Sequence, residues 1–244
     1  MAIKQIDYYD KSFHINYEIV NSDKSEVIVF LHGWGSNKEI MKQAFGDKLK
    51  EFKHIYIDMP GFGKSDNDYI LTTIDYANII KIFLNKLNIN PNDVTIAGHS
   101  FGGKVATCLM PKLLVLLSSA GIVEDKSSKT LLTIRMAKIF NRFGLSKVTK
   151  MFRSNDVNGM PQNMYETFKN VVDEDFSNYF KGFYKDALIF WGETDTATTL
   201  ESGKTIHSFI KNSSFKSYDG DHYFFLKYSD DIAIHIEKHL SLLS

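Results

Sequence analysis

Cysteine is almost absent: Cys108 is the only one among 244 residues. An intrachain disulfide framework is thereby excluded, and a cysteine-ligated metal site is not expected. Charge of one sign is also missing. The 29 basic side chains balance 29 acidic ones, and no long run of either sign stands out, so neither nucleic acid nor an anionic membrane is an expected partner. No apolar run is long enough to span a bilayer. The stretch Met1–Asp7 is polar and lacks the apolar centre of a signal peptide. The expectation is a soluble, cytoplasmic protein, monomeric or homodimeric. No cluster of histidine, cysteine and carboxylate has metal-ligand spacing, and neither a metal nor a cofactor is expected. Arginine is rare as well, occurring only at positions 135, 142 and 153.

What is present is a rhythm. The apolar share is 43%, enough for a full core. Short apolar, β-branched runs alternate with longer amphipathic stretches, the pattern of a mostly parallel sheet covered by helices. Phe13–Tyr17 alternates and reads as an early antiparallel strand. Glu26–Leu31, His54–Ile57, Val94–Ala97, Leu113–Leu117, Ala187–Trp191 and Phe215–Tyr218 read as further strands. Helices are expected from about Thr72 to Leu87 and from about Ser229 to Leu243. Between Leu117 and Ala187 no strand appears. Ser128–Phe143 and Pro161–Val172 read as helices there, the first ended by Gly144 and the second opened by Pro161. The chain thus divides into a core, 1–122 and 185–244, and a helical cap, 123–184. No internal repeat or low-complexity linker is present.

Gly98-His99-Ser100-Phe101-Gly102 matches the nucleophile-elbow pattern G-x-S-x-G. A strand that turns sharply into a helix leaves its central residue in strained geometry, and small residues two positions away let strand and helix meet. The serine oxygen then stands at a helix N-terminus, where unpaired N–H groups favour developing negative charge. A strand run before the motif and an apolar helix after it supply the required context. His32-Gly33-Trp34-Gly35 follows another strand, and the backbone N–H groups of Trp34 and Phe101 are the expected oxyanion donors. The His32 side chain is expected to make a structural hydrogen bond within its loop. Asp195 and His222 each follow a later strand, in the order serine, acid, histidine. Serine is a weak nucleophile at its free pKa and needs a nearby base; His222 suits that role, with Asp195 to orient it. Glu193, Asp219 and Asp221 are nearby carboxylates, the last two better placed to shape the histidine turn. Gly61-Phe62-Gly63-Lys64-Ser65 ends like a phosphate-binding loop, but Asp58 occupies the position of its first glycine.

Taken together, His32–Gly35, Asp58–Ser65, Gly98–Gly103, Trp191–Asp195 and Gly220–His222 resemble the α/β-hydrolase superfamily over nearly the whole chain. The resemblance implies an α/β-hydrolase fold: an eight-stranded, mostly parallel sheet with one antiparallel strand, helices on both faces and a helical lid after the sixth strand. It implies a serine hydrolase acting by Ser-His-Asp acyl transfer on a small-molecule ester or a C–C (2-hydroxy-6-oxo-dienoate-like) substrate. The layout is similar to small bacterial meta-cleavage-product hydrolases and carboxylesterases, and to pimeloyl-carrier-protein methyl ester esterases. A non-enzymatic ligand receptor on the same fold is the rival class. Two departures stand out: Thr199 where proline is common after the acid loop, and Asp221 where glycine usually precedes the histidine.

Substrate clues lie in the cap. Its large apolar residues, Phe140 and Phe168 among them, line a pocket or pack the cap onto itself and the sheet. Trp34 walls the same pocket from the core side. Arg135, Arg142 and Arg153 offer bidentate binding of a substrate carboxylate, a docking face for an acidic carrier protein, or ordinary solvated helix positions.

Overall fold

The computed structural model describes residues 2–123 and 160–242. The predicted helix 128–143, Phe140 and the three arginines lie outside the described residues. Eight strands form one sheet: β1 (Ala2–Tyr8), β2 (Lys11–Val20), β3 (Val27–Leu31), β4 (Lys53–Ile57), β5 (Thr95–His99), β6 (Leu113–Leu117), β7 (Asp186–Gly192) and β8 (Ser213–Tyr218). Their order is β1-β2-β4-β3-β5-β6-β7-β8. Only β2 runs against the rest, antiparallel to both β1 and β4. The described helices are α1 (Lys38–Phe45), α2 (Thr73–Asn85), α3 (Phe101–Cys108), α4 (Gln162–Val172), α5 (Ser177–Gly182), α6 (Leu200–Phe209) and α7 (Phe225–Leu242). Between β6 and β7 the described residues hold α4 and α5 and no strand.

The central strands read as unbroken apolar runs because both sheet faces are covered. Alternate residues serve alternate layers. Ile28 and Phe30 of β3 join Met41, Phe45, Phe225 and Ile236 under α1 and α7. Val29 and Leu31 join Ile80, Phe83, Val105 and Met164 under α2, α3 and α4.

Several elements escaped the sequence reading. In β1 only Ile6 is buried; its polarity suits an exposed sheet edge, where charge discourages pairing with other chains. Helix α1 has a short apolar stripe and depends on Asn37, whose side chain caps it by accepting from the Glu39 N–H at 3.0 Å. Helix α6 is capped by Thr199, which accepts from the Ser202 N–H at 3.3 Å. Thr199 has φ −67°, the value proline would impose, so the departure from the family pattern keeps the backbone. Helix α7 begins four residues before the expected Ser229, across a kink at Tyr228.

Two buried polar pins hold the loops after β3 and β4. His32 donates from Nδ1 to the Gly33 carbonyl at 2.8 Å and accepts the Met59 N–H at Nε2, 3.0 Å, so both partners are served by one neutral tautomer. Asp58 accepts from the Lys38 ammonium at 2.9 Å, from the Lys38 N–H at 2.8 Å and from the Lys64 N–H at 3.0 Å. The glycine-lysine-serine stretch is therefore a turn wrapped on Asp58, with the Ser65 hydroxyl donating to the Asp58 carbonyl at 2.6 Å.

Burial pulls the His32 pKa down from 6.5 to about 4, against the favourable hydrogen bond to Gly33. His54, buried between Leu49 and Tyr56, is lowered for the same reason. Below pH 6.5 the unfolded chain takes up protons that the folded one refuses, so stability falls as pH drops toward 4. The slope is at most about 1.4 kcal/mol per pH unit for each such histidine. Melting temperatures between pH 4.5 and 7 are expected to show this. His32→Gln should start lower at pH 7 and lose less on acidification; an unchanged slope would remove His32 from the account. Lys38→Met, which strands the Asp58 charge, is expected to cost about 3–5 kcal/mol in urea denaturation.

Candidate active site

The elbow forms where β5 meets α3 too closely for side chains. A Cβ on Gly98 would lie 2.3 Å from the Gly102 carbonyl oxygen, and one on Gly102 would lie 2.5 Å from the Leu31 oxygen. Between them Ser100 takes φ 51°, ψ −115°, a conformation that costs a non-glycine residue about 1–3 kcal/mol. It is held there by its N–H donating to Leu117 at 3.1 Å and its carbonyl accepting from Gly103 and Ala120, each at 3.0 Å. Phe101 opens α3, so its N–H has no intrahelical acceptor. The chain at Gly33 passes so near that an added Cβ would sit 3.1 Å from Ser100 Cβ, which brings Trp34, the next residue, to the elbow.

Asp195 and His222 sit on loops beyond β7 and β8 that are laced together. Glu193 N–H donates to Tyr218, and Thr194 N–H to Gly220, at 2.8 and 3.0 Å. His222 Nδ1 donates to Asp195 Oδ2 at 2.7 Å. The other carboxylate oxygen accepts the N–H groups of Ala197 and Thr198 at 2.8 and 3.0 Å, and the Thr198 hydroxyl bonds Oδ2 at 3.0 Å. Burial pushes the Asp195 carboxyl up, but the His222 charge and these hydrogen bonds outweigh it and hold the group below the usual carboxylate range. Two of the rival carboxylates are engaged elsewhere: Glu193 accepts from the Ser217 hydroxyl, and Asp221 caps its own turn by accepting the Tyr223 N–H; Asp219 is exposed.

Ser100, Asp195 and His222 are 5%, 6% and 4% exposed, so all three are shielded from bulk water. The structure joins His222 to Asp195 directly. Among the described residues the Ser100 hydroxyl has no hydrogen bond to the His222 ring. Instead His99, next to Ser100, places its ring centroid 4.5 Å from that of His222 and donates from Nε2 to the His222 carbonyl at 3.0 Å. Burial first, and the neighbouring His222 second, keep His99 well below the ordinary imidazole range.

Beside Ser100 lies a small pocket of about 50 Å³, open to solvent, walled by Trp34, Phe101, Phe168, Val171 and Val172 and edged by Lys104 and Thr198. Phe168 and Trp34 reach the pocket; Arg135, Arg142, Arg153 and Phe140 fall outside the described residues. Three contributors were not singled out from sequence: His99, Thr198 and Lys104. The Lys104 ammonium donates to the Val171 carbonyl at 2.5 Å and to Glu174 at 3.0 Å, and burial lowers its pKa. A lysine amid the small and apolar residues of α3 was the available signal. Cys108, further along α3, has its thiol pushed up to about 12 by burial and the Glu174 charge, which makes it unreactive.

Comparison with known proteins follows the same lines. The uncharacterized hydrolase YugF of Bacillus subtilis (strain 168) is 23% identical over 240 residues, covering 82% of this chain and 84% of its own. A pimeloyl-[acyl-carrier protein] methyl ester esterase of Wigglesworthia glossinidia brevipalpis is 24% identical over 190 residues, 78% of this chain and 62% of that one. A thermophilic esterase from Thermogutta terrifontis superposes with a TM-score of 0.78 at 16% identity, over 99% of this chain and 98% of the other; at that identity the likeness speaks to the fold. The model of the alpha/beta hydrolase family matches residues 28–214, well over half the sequence, and the chain belongs to that family.

Proposed function

We propose that this hydrolase cleaves small carboxylic esters by acyl transfer, with Ser100 as nucleophile, His222 as base and Asp195 as the group that orients the base. The observation that carries the reading is the 2.7 Å hydrogen bond from His222 Nδ1 to Asp195. It commits Nδ1 to the acid and leaves Nε2 as the ring nitrogen able to take a proton. Ser100 Oγ attacks the ester carbonyl as its proton passes to Nε2. The oxyanion accepts from the N–H groups of Trp34 and Phe101. His222 returns the proton to the departing alcohol, leaving an acyl-serine. Water, deprotonated by His222, then releases the acid and restores the hydroxyl. Serine–histidine contacts are commonly long without substrate and close in the Michaelis complex.

An ester fits the pocket better than an acidic dienoate. The Lys104 charge beside it is already met by Glu174, so the described lining offers no uncommitted cation for a carboxylate.

Hydrolysis of p-nitrophenyl butyrate tests the reading. Ser100→Ala is expected to reduce kcat at least about 1000-fold and to abolish labelling by a fluorophosphonate. Asp195→Asn, which leaves the ring tautomer unspecified, should reduce kcat by about 10⁴ with little change in KM. Full turnover by Ser100→Ala would overturn the mechanism.

A further inference from the structure

The side chain next to the proposed nucleophile is explained neither by the steric demand of the elbow nor by the acyl-transfer steps. The G-x-S-x-G pattern leaves that position open, yet an imidazole is buried there, 1% exposed. Burying a polar ring is costly unless its nitrogens are paired. His99 has one such pairing: Nε2 donates to the His222 carbonyl at 3.0 Å, while Nδ1 has no hydrogen-bond partner among the described residues. The proton therefore sits on Nε2, which fixes the neutral tautomer. A doubly protonated ring would leave the Nδ1–H stranded.

The His99 ring touches the other loops of the site. Its centroid lies 4.5 Å from that of His222, 5.2 Å from Tyr223 and 4.8 Å from Phe225. Gly33, in the loop after β3, runs so close that a Cβ there would stand 3.0 Å from His99 Nδ1. The titratable groups facing His99 are His222 and Tyr223 from the histidine turn, Asp195 from the loop after β7 and His32 from the loop after β3. His222 is less firmly placed by its acid alone. Asp195 holds the ring at Nδ1, and a hydrogen bond at one ring atom leaves the ring free to pivot about it. His99 supplies a fixed point for the His222 backbone and a packed neighbour for its ring. Both come from the end of β5, which also leads into Ser100, so one rigid element sets the serine and holds the histidine.

We infer that His99 is a positioning residue for the hydrolytic reaction: its Nε2–H holds the His222 carbonyl and so sets where His222 Nε2 stands relative to Ser100. The inference rests on the Ser100, His222 and Asp195 reading and adds to it a side chain that takes no part in proton transfer and does not line the pocket. His99 thus has two separable parts, a donor and a ring. Loss of the donor lets the histidine turn shift, which misplaces the base and leaves ester binding unchanged; kcat then falls while KM holds.

Two substitutions separate the parts. His99→Phe keeps a ring and removes the donor. His99→Gln removes the ring and offers an amide N–H to the same carbonyl. With p-nitrophenyl butyrate, His99→Phe is expected to lower kcat roughly tenfold with little change in KM, and His99→Gln to stay within about threefold of wild type. His99→Phe should also broaden the downfield proton shared by His222 and Asp195 in ¹H spectra, and His99→Gln should leave it sharp. Wild-type kcat in His99→Phe overturns the inference, and so do equal losses in both variants, which would assign the effect to ring packing. Should neither variant fold, ¹⁵N-histidine labelling of the intact protein decides the matter. His99 is expected to show a protonated Nε2 and a bare Nδ1 from about pH 5 to 9; a proton on Nδ1 in that range overturns the inference while leaving the hydrolase intact. Absence of turnover by the wild type, matching Ser100→Ala, overturns the hydrolase reading and this inference with it.

Discussion

The active-site architecture hangs on one steric constraint, the close approach of β5 to α3. Because the Gly98 and Gly102 backbones stand where Cβ atoms would collide, the chain must reverse direction within a single residue, and Ser100 is left at positive φ. That conformation costs free energy locally. It is maintained by hydrogen bonds from β6 and from the loop after it, through Leu117 and Ala120. The same close approach brings the β3 terminus against α3 and so presents the Gly33–Trp34 backbone to the serine. One contact thereby sets the Ser100 conformation, the helix N-terminus beneath it and one wall of the pocket.

The histidine side of the site is built differently. Its loops are not crowded into place but tied, by the backbone ladder between the β7 and β8 exits and by Asp195, whose two oxygens collect four donors. His99 adds a further tie from the elbow to the His222 carbonyl. The buried imidazole of His99 stays neutral, which avoids a second positive charge beside the ring proposed to become protonated in turnover. Fixed dipoles and a shielded carboxylate of this kind stabilise charge that develops during reaction without reorganising.

On the cap side, Lys104 connects the nucleophile helix to the end of α4 through Val171 and Glu174, and the Thr73 hydroxyl donates to the same Glu174. Helix α4 is thus pinned to α2 and α3 by a buried charge, with Phe168 and Val171 turned to the pocket. The charges at this junction are thus satisfied within the protein.

Much of this was legible in the residues. Apolar runs bounded by glycine located the central strands, because strands covered on both faces need continuous hydrophobicity. G-x-S-x-G after such a run marked the elbow, because only glycine meets its steric demand. The order of Ser100, Asp195 and His222 marked loops at one sheet edge, since parallel strands all end on the same side. Marginal elements were not legible: β1 is too polar, and α1 and α6 too short and too dependent on Asn37 and Thr199 caps, for periodicity to reveal them. Pairings were not legible either. Which carboxylate reaches His222, which side chains neutralise Lys104, and which donor meets the His222 carbonyl depend on contacts between residues tens to more than a hundred positions apart. Local pattern records what each segment prefers; partners across the fold are chosen by packing.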